Sequence, residues 1–183
     1  MGQFIVDVTR YCGSIKENDI TTFFTADQHF GHRNIIKYCN RPFKSVHEMN
    51  EAMIKNWNDV VDSRDTVYHL GDFGFKGVDL ILPRLNGNIH LIHGNHDSSA
   101  VKRNKRFITS SPIKEIKING IKTVLHHYSM RVWNASFHGS FHLFGHSHGM
   151  LPPYGLSFDV GVDAWNFTPI SEECVLNKMK IGE

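Results

Sequence analysis

The chain predicts an α/β fold, layered, with a mixed sheet. Short β-branched and aromatic runs alternate with helical apolar stripes through roughly the first half, and a hairpin with further strand-like runs follows. Most of the runs end in a polar knot of histidine, aspartate, asparagine and glycine, and strand ends are where open α/β sheets carry their sites. At 183 residues one substantial core can be buried, and no repeat, low-complexity tract or internal linker divides the sequence.

Residues 1–19 read as an N-terminal extension, a hairpin arm with a strand over Phe4 to Val8 and a turn at Tyr11-Cys12-Gly13-Ser14. Residues 20–183 read as the functional domain. Ile20 to Ala26 is β-branched and aromatic, a buried strand ending at Asp27-Gln28-His29. A first helix begins near His32 or Arg33, carries Ile35 and Ile36, and ends before Pro42, because proline disfavours helical geometry in its predecessor. Ser45 is placed to cap a second helix, with Glu48 completing a capping box. Val46, Met49, Met53, Trp57, Val60 and Val61 recur there at steps of three and four, one apolar stripe that core packing explains. Then come a strand over Thr66 to Leu70, a short helix over Asp79 to Leu85, and a strand over Asn88 to Ile92. Ser98 to Lys105 follows as helix or loop. Ile113 to Ile118 and Ile121 to Leu125 flank Asn119-Gly120, the signature of a type I′ hairpin. Phe141 to Phe144 and Ser157 to Val162 are the last expected strands.

Composition narrows the function classes. A hydrophobic fraction of 40% with 21% charged residues suits a soluble globular protein, and a net charge of +2 gives no argument for a nucleic-acid partner. Lys102, Arg103, Lys105 and Arg106 form a basic cluster that reads as a solvated helix end. Three cysteines without a CxxC spacing argue against a disulfide framework or thiolate zinc site and for a reducing, cytoplasmic compartment. No apolar stretch approaches the roughly 18 residues of a membrane span, and Met1 to Val8 has no signal-peptide pattern.

The 13 histidines carry the chemistry. Most stand in short knots: Asp27-Gln28-His29, His126-His127, Gly94-Asn95-His96-Asp97 and Gly145-His146-Ser147-His148, with Gly71-Asp72 beside them. Asp27 and His29 are two apart, as are His146 and His148, so an extended segment points each pair to one side. A lone Asp-x-His is as well explained by a structural hydrogen bond, and Gly-Asp alone is weaker still. Together, N and O ligands offered from several strand ends imply metal binding, and more than one ion.

The order Asp-x-His, Gly-Asp, Gly-Asn-His-Asp, His, Gly-His-x-His resembles the signature of the calcineurin-like metallophosphoesterases, and the likeness runs from about Phe23 to Phe167. The surroundings are similar to those of small bacterial and phage-borne members: Phe30-Gly31-His32-Arg33-Asn34-Ile35-Ile36, Asp65 to Phe73, and Gly161-Val162-Asp163-Ala164-Trp165. The resemblance implies a metallophosphoesterase-type β-sandwich flanked by helices, with two divalent ions at its edge and phosphoester hydrolysis as the activity. It makes Asp27, His29 and His148 ligands of one ion, Asn95, His127 and His146 ligands of the other, and Asp72 the bridge. His96 becomes the catalytic histidine with Asp97 orienting it, and a metal-bridging hydroxide the nucleophile. Of the adjacent pair, His127 is chosen over His126 because Tyr128-Ser129-Met130 follows it as the short turn does in the family. His32, Arg33, Asn34 and Arg131 are the candidate substrate contacts, with Trp133 available to stack a base. A helix-end His32 and a core Trp133 are the plain alternatives.

Mixed imidazole and carboxylate ligation suits Mn, Fe, Co, Ni or Zn better than Mg or Ca, with Mn the first choice. The expected partner is a small phosphoester, a diester before a monoester, since Arg33 and Arg131 are the only arginines beside a motif. A nuclease with the same centre and a metal-binding interaction protein without turnover are the alternatives. Protein serine/threonine phosphatases carry Gly-Asp-x-x-Asp-Arg-Gly and Gly-Asn-His-Glu, which Gly71 to Lys76 and Asp97 do not match.

Overall fold

A computed structural model of the chain describes Tyr11 and residues 20–180. Apart from Tyr11, the expected arm lies outside the described residues. Strands β1 (Thr22–Thr25), β2 (Thr66–His69), β3 (Asn88–Ile92), β4 (Thr109–Ser111) and β9 (Ile170–Ser171) form one sheet in the order β4-β3-β2-β1-β9. Strands β5 (Ile113–Ile118), β6 (Ile121–His126), β7 (Phe141–Phe144) and β8 (Ser157–Asp159) form the second, in that order. β1 to β4 pair in parallel and β9 joins antiparallel. β5 and β6 are an antiparallel hairpin, and β6, β7 and β8 run parallel. Both sheets are therefore mixed.

The connections between the parallel strands carry helices α1 (Ile35–Tyr38), α2 (Val46–Val60), α3 (Val78–Ile81) and α4 (Ser99–Lys102), and α5 (Glu172–Lys180) closes the described chain. α2 is capped as its sequence demands: Ser45 Oγ accepts from the Glu48 amide at 3.1 Å, while the Glu48 carboxylate reaches back to the Lys44 amide at 2.8 Å. Asn119 and Gly120 have φ of 47° and 83°, as a type I′ turn requires, so β5 and β6 pair in register from Ile118–Ile121 outward. β4, β9 and α5 were not anticipated. The two strands are only three and two residues long and lack an alternating pattern, so periodicity could not separate them from loop.

Alternation along the central strands divides the core in two. Phe23 and Val67 face the helices and pack with Met49, Met53, Trp57, Leu82 and Ile89. Their neighbours Phe24 and Leu70 face the second sheet and pack with Leu125, Leu143, Phe158 and Trp165, where α5 adds Val175 and Met179. The first sheet is thus covered on both faces, which accounts for its apolar runs. Arg106 spends one guanidinium nitrogen on the Leu85 and Gly87 carbonyls, a structural use of the basic cluster. Cys39 takes part in no disulfide but Cys174 is held in one, so the cysteine count did not exclude a disulfide. Among the described residues no helix is long and apolar enough to cross a membrane.

Candidate metal centre

The knots converge because the strands that precede them are parallel. The loops after β1, β2 and β3 leave the same edge of the first sheet, and those after β6 and β7 leave the facing edge of the second. Backbone hydrogen bonds stitch the loops together: the Asp27 amide donates to Gly71 O, His29 to Asp72 O and Gly145 to His127 O, each at 3.0 Å. Five of the seven expected ligands have left-handed backbone, with φ of 62° at Asp27, 52° at His29, 56° at Asp72, 66° at His146 and 49° at His148. Such geometry costs a non-glycine residue about 1 kcal/mol or more, and its concentration here is the mark of a site held by its surroundings.

Among the described residues three clusters could each hold an ion, and one of them, Cys39, His148 and Asp163, shares His148 with the first of the two expected ligand groups. One ligand atom from each of Asp27, His29 and His148 lies within 4.8 Å of the others, and the same holds for Asp72, His127 and His146. Asn95 joins the second group, its Oδ1 lying 3.0 Å from His127 Nε2. Asp72 stands between them: its Oδ2 is 3.5 Å from His29 Nε2 and 3.5 Å from His127 Nε2. The donors fit metal. His29 is 1% exposed, yet neither ring nitrogen has a hydrogen-bond partner, and Asp27 Oδ1 is buried and unpartnered too. Orphaned buried polar atoms cost roughly 1–3 kcal/mol each, so a cluster of them aimed at one point calls for a ligand.

The surrounding shell orients the ligands. His127 Nδ1 lies 2.7 Å from the Leu70 carbonyl, which accepts its proton and leaves Nε2 facing Asp72. His148 Nδ1 is 2.7 Å from Asp163 Oδ2. Asp163 in turn is held by Arg41 through two hydrogen bonds of 2.7 Å, and Arg41 also donates to the Asp27 and Gln28 carbonyls at 2.7 and 3.0 Å. Buried Asp159 accepts from Ser147 Oγ and from the Gly149 and Gly161 amides, fixing the loop that carries His146 and His148. Fully buried His69 pairs with Gln28 beneath the loops, a packing role. Arg41 and Asp159 carried no local signal, and Asp163 stood only within the quoted Gly161 to Trp165 stretch.

Asp97 departs from the expected role. Its oxygens accept from the amides of Asp72 (3.0 Å), Phe73 (2.8 Å) and Gly94 (2.8 Å). The carboxylate is occupied in tying the β2 and β3 loops together, so it positions Asp72 rather than orienting His96. His96 is exposed, its backbone amide donates to Asp72 Oδ1 at 2.8 Å, and its ring lies 5.6 Å from that of His29. His32 joins the same cluster, 5.5 Å from His29 and 4.2 Å from Phe75, with Nδ1 buried and unpartnered. Arg33 and Asn34 are exposed on the approach to α1 and make no hydrogen bond or ion pair to the ligand groups. Arg131 lies in an adjoining groove. Trp133 is buried, walls the same groove, and its indole N–H donates to Ser140 O at 3.1 Å.

The adjacent histidines are sorted by strand geometry. His127 is fully buried beside Asp72, whereas the ring of His126 turns outward to the backbone of Tyr128. His127→Ala is expected to lose metal from the Asn95–His146 side, and His126→Ala to keep its full metal content. Metal analysis of the two purified variants checks this, and the reverse pattern would overturn the assignment.

Burial pushes the Asp27 carboxyl up to about 7 and holds the His29 ring down to about 2. For His148 burial opposes the charge, but the hydrogen bond to Asp163 and the nearby Asp27 prevail, raising it to about 11. Asp72 stays below the usual carboxylate range: burial opposes this, and its hydrogen bond with His127 outweighs it. A metal ion at Asp27, His29 and His148 must displace the protons of Asp27 and His148. Both are bound below pH 7 and only that of His148 between 7 and 11. Affinity there should rise by about tenfold per pH unit for each proton displaced, most steeply below neutrality. Competition titrations with a chelator across this range measure it, and a flat profile would refute it.

No family model matches the chain. It is 36% identical over 173 residues to the uncharacterized protein MJ1445 of Methanocaldococcus jannaschii, an alignment covering 88% of this chain and 92% of that protein. It is 37% identical over 82 residues to the Gene 66 protein of Mycobacterium phage L5, covering 42% of this chain and 39% of that one. The fold superposes on the protein of unknown function AQ665 from Aquifex aeolicus with a TM-score of 0.68 at 24% identity, covering 84% and 96% of the two chains. The chain therefore belongs to the same family as MJ1445, and it shares the fold of AQ665.

Proposed function

We propose that this protein is a metal-dependent phosphodiesterase using two divalent transition ions, with Asp72 between them. The observation that carries the reading is the position of Asp72 Oδ2, 3.5 Å from a histidine of each ligand group. Asp27, His29 and His148 would hold one ion and Asn95, His127 and His146 the other, Mn first among Mn, Fe, Zn, Ni and Co. When bound, such ions supply a deprotonated water as nucleophile and neutralise phosphoryl oxygens. Asp72 and Asp97 hold the ligand loops in place, and Arg41 with Asp163 fixes His148. His96, exposed beside His29, would give a proton to the departing oxygen, and His32 would donate to a phosphate oxygen.

Charge balance favours a diester. Asp27 and Asp72 set two negative charges against the four of two divalent ions, while Asn95 and the four histidines add none. The surplus is matched by one hydroxide and one monoanionic phosphodiester, and a dianionic monoester overshoots it. Steady-state kinetics on bis-nitrophenyl phosphate and nitrophenyl phosphate, with each metal restored after chelation, test the reading. A higher kcat/KM for the monoester would refute the diester preference, and absence of turnover with every metal would refute the activity. His96→Ala is expected to keep its metal and to slow diesters with alkoxide leaving groups by about 10²–10⁴-fold. Nitrophenolate needs no proton, so its esters should suffer less. Equal losses for both leaving groups would show that His96 does not protonate.

A further inference from the structure

The ring of Tyr128 packs on both histidines of the second ligand group, 5.1 Å from His127 and 4.6 Å from His146. The next three residues, Ser129, Met130 and Arg131, line a groove of about 380 Å³ with Tyr154. Arg131 and Tyr154 continue into a second groove of about 610 Å³, walled by Trp133 and rimmed by Val132 and Phe137. Three residues of chain span at most about 10 Å, so this surface begins within one substrate's reach of the ligand groups.

Its chemistry is unusual for a surface. Phe137 is 86% exposed, Tyr154 67% and Val132 59%. Single exposed apolar side chains are ordinary, but several gathered in one groove mark a binding surface. No carboxylate lines either groove, and among the described residues Arg131 makes no ion pair. A cationic fork set among exposed aromatic faces suits a ligand that is planar, apolar on its faces and anionic nearby.

We propose that this groove is a nucleoside subsite, taking the base of a nucleotide phosphodiester on Phe137 and Tyr154 while Arg131 binds an oxygen of its sugar-phosphate. The proposal rests on the phosphodiesterase reading and names its substrate class. Every base offers a π-face, so stacking recognises nucleosides without selecting one, and the guanidinium supplies paired donors to phosphate oxygens.

The test compares thymidine 5′-(nitrophenyl phosphate) with methyl nitrophenyl phosphate, two diesters that share a leaving group, one carrying a nucleoside where the other carries a methyl group. The wild-type protein should prefer the thymidine ester on the order of tenfold in kcat/KM, the scale of one stacking contact. Tyr154→Ala and Phe137→Ser should each shrink that ratio through KM, whereas Arg131→Gln, losing a contact to the phosphate that both esters carry, should raise KM for both and leave the ratio. Equal kcat/KM for the two esters would overturn the subsite and leave the phosphodiesterase reading standing. If neither ester turns over, calorimetry with thymidine 5′-monophosphate decides. Saturable binding weakened by Tyr154→Ala supports the subsite without the activity, and binding that is absent or indifferent to all three substitutions overturns it.

Discussion

Asp72→Asn is expected to purify as a folded protein that has lost at least one ion and nearly all activity. The substitution is close to isosteric, and Asn can keep the oxygen that accepts from the His96 amide at 2.8 Å, so the loop after β3 retains its anchor. It removes the negative charge that Asp72 sets 3.5 Å from a histidine of each ligand group. Two divalent charges without an anion between them repel strongly beside side chains as buried as Asp27, His29 and His127. The loss in rate should be on the order of 10³-fold, equivalent to the several kcal/mol that positioned divalent charge contributes. Gly94→Ala should approach the same outcome by a different route, because a Cβ on Gly94 would lie 2.2 Å from Asp72 Oδ1. Metal analysis with kinetics checks both. Two retained ions and normal activity in Asp72→Asn would remove Asp72 from between the ions.

Asp163→Leu should have the largest effect on stability. It leaves the Arg41 guanidinium, fully buried as a side chain, without its carboxylate, and takes the acceptor from His148 Nδ1. Stranding one member of a buried pair costs about 3–5 kcal/mol, a large share of the roughly 5–15 kcal/mol that holds a typical domain. At about 2–4 °C per kcal/mol for a chain of this length, Tm should fall by roughly 10 °C. Metal affinity should fall about 10–100-fold, because the ring of His148 is no longer held. Pairing it with Arg41→Met removes the stranded charge and should recover much of the stability. The metal affinity should not return, since His148 still lacks its partner. Recovery of both together would mean that Asp163 acts on the ion only through the fold.

Much of this protein was readable in the order of its residues. The Ser45–Glu48 cap, the stripe from Met49 to Trp57 and the Asn119-Gly120 hairpin are local devices, and each formed where its pattern stood. So did the strands over 88–92 and 141–144. The knots at Asp27, Asp72, Asn95 and His146 were legible for a related reason: each belongs to one turn after one strand, and parallel pairing gathers such turns at one edge of each sheet.

Only the tertiary structure could decide the rest. Asp97 sits next to His96 in sequence, yet its carboxylate turns to the amides of Asp72, Phe73 and Gly94, because buried N–H groups at two strand ends must find an acceptor. Arg41 and Asp163 are separated by 122 positions, and no periodicity links them. They meet because a buried guanidinium needs a carboxylate and a histidine that faces the ligand groups needs an acceptor behind it. Trp133 took the plainer of its two expected places on the same ground, its indole finding a carbonyl in the interior, while Tyr154, on which the sequence was silent, stands exposed. Chemistry confined to one turn was written in the sequence. Which distant side chains satisfy a buried charge or donor was settled only when the two sheets closed on each other.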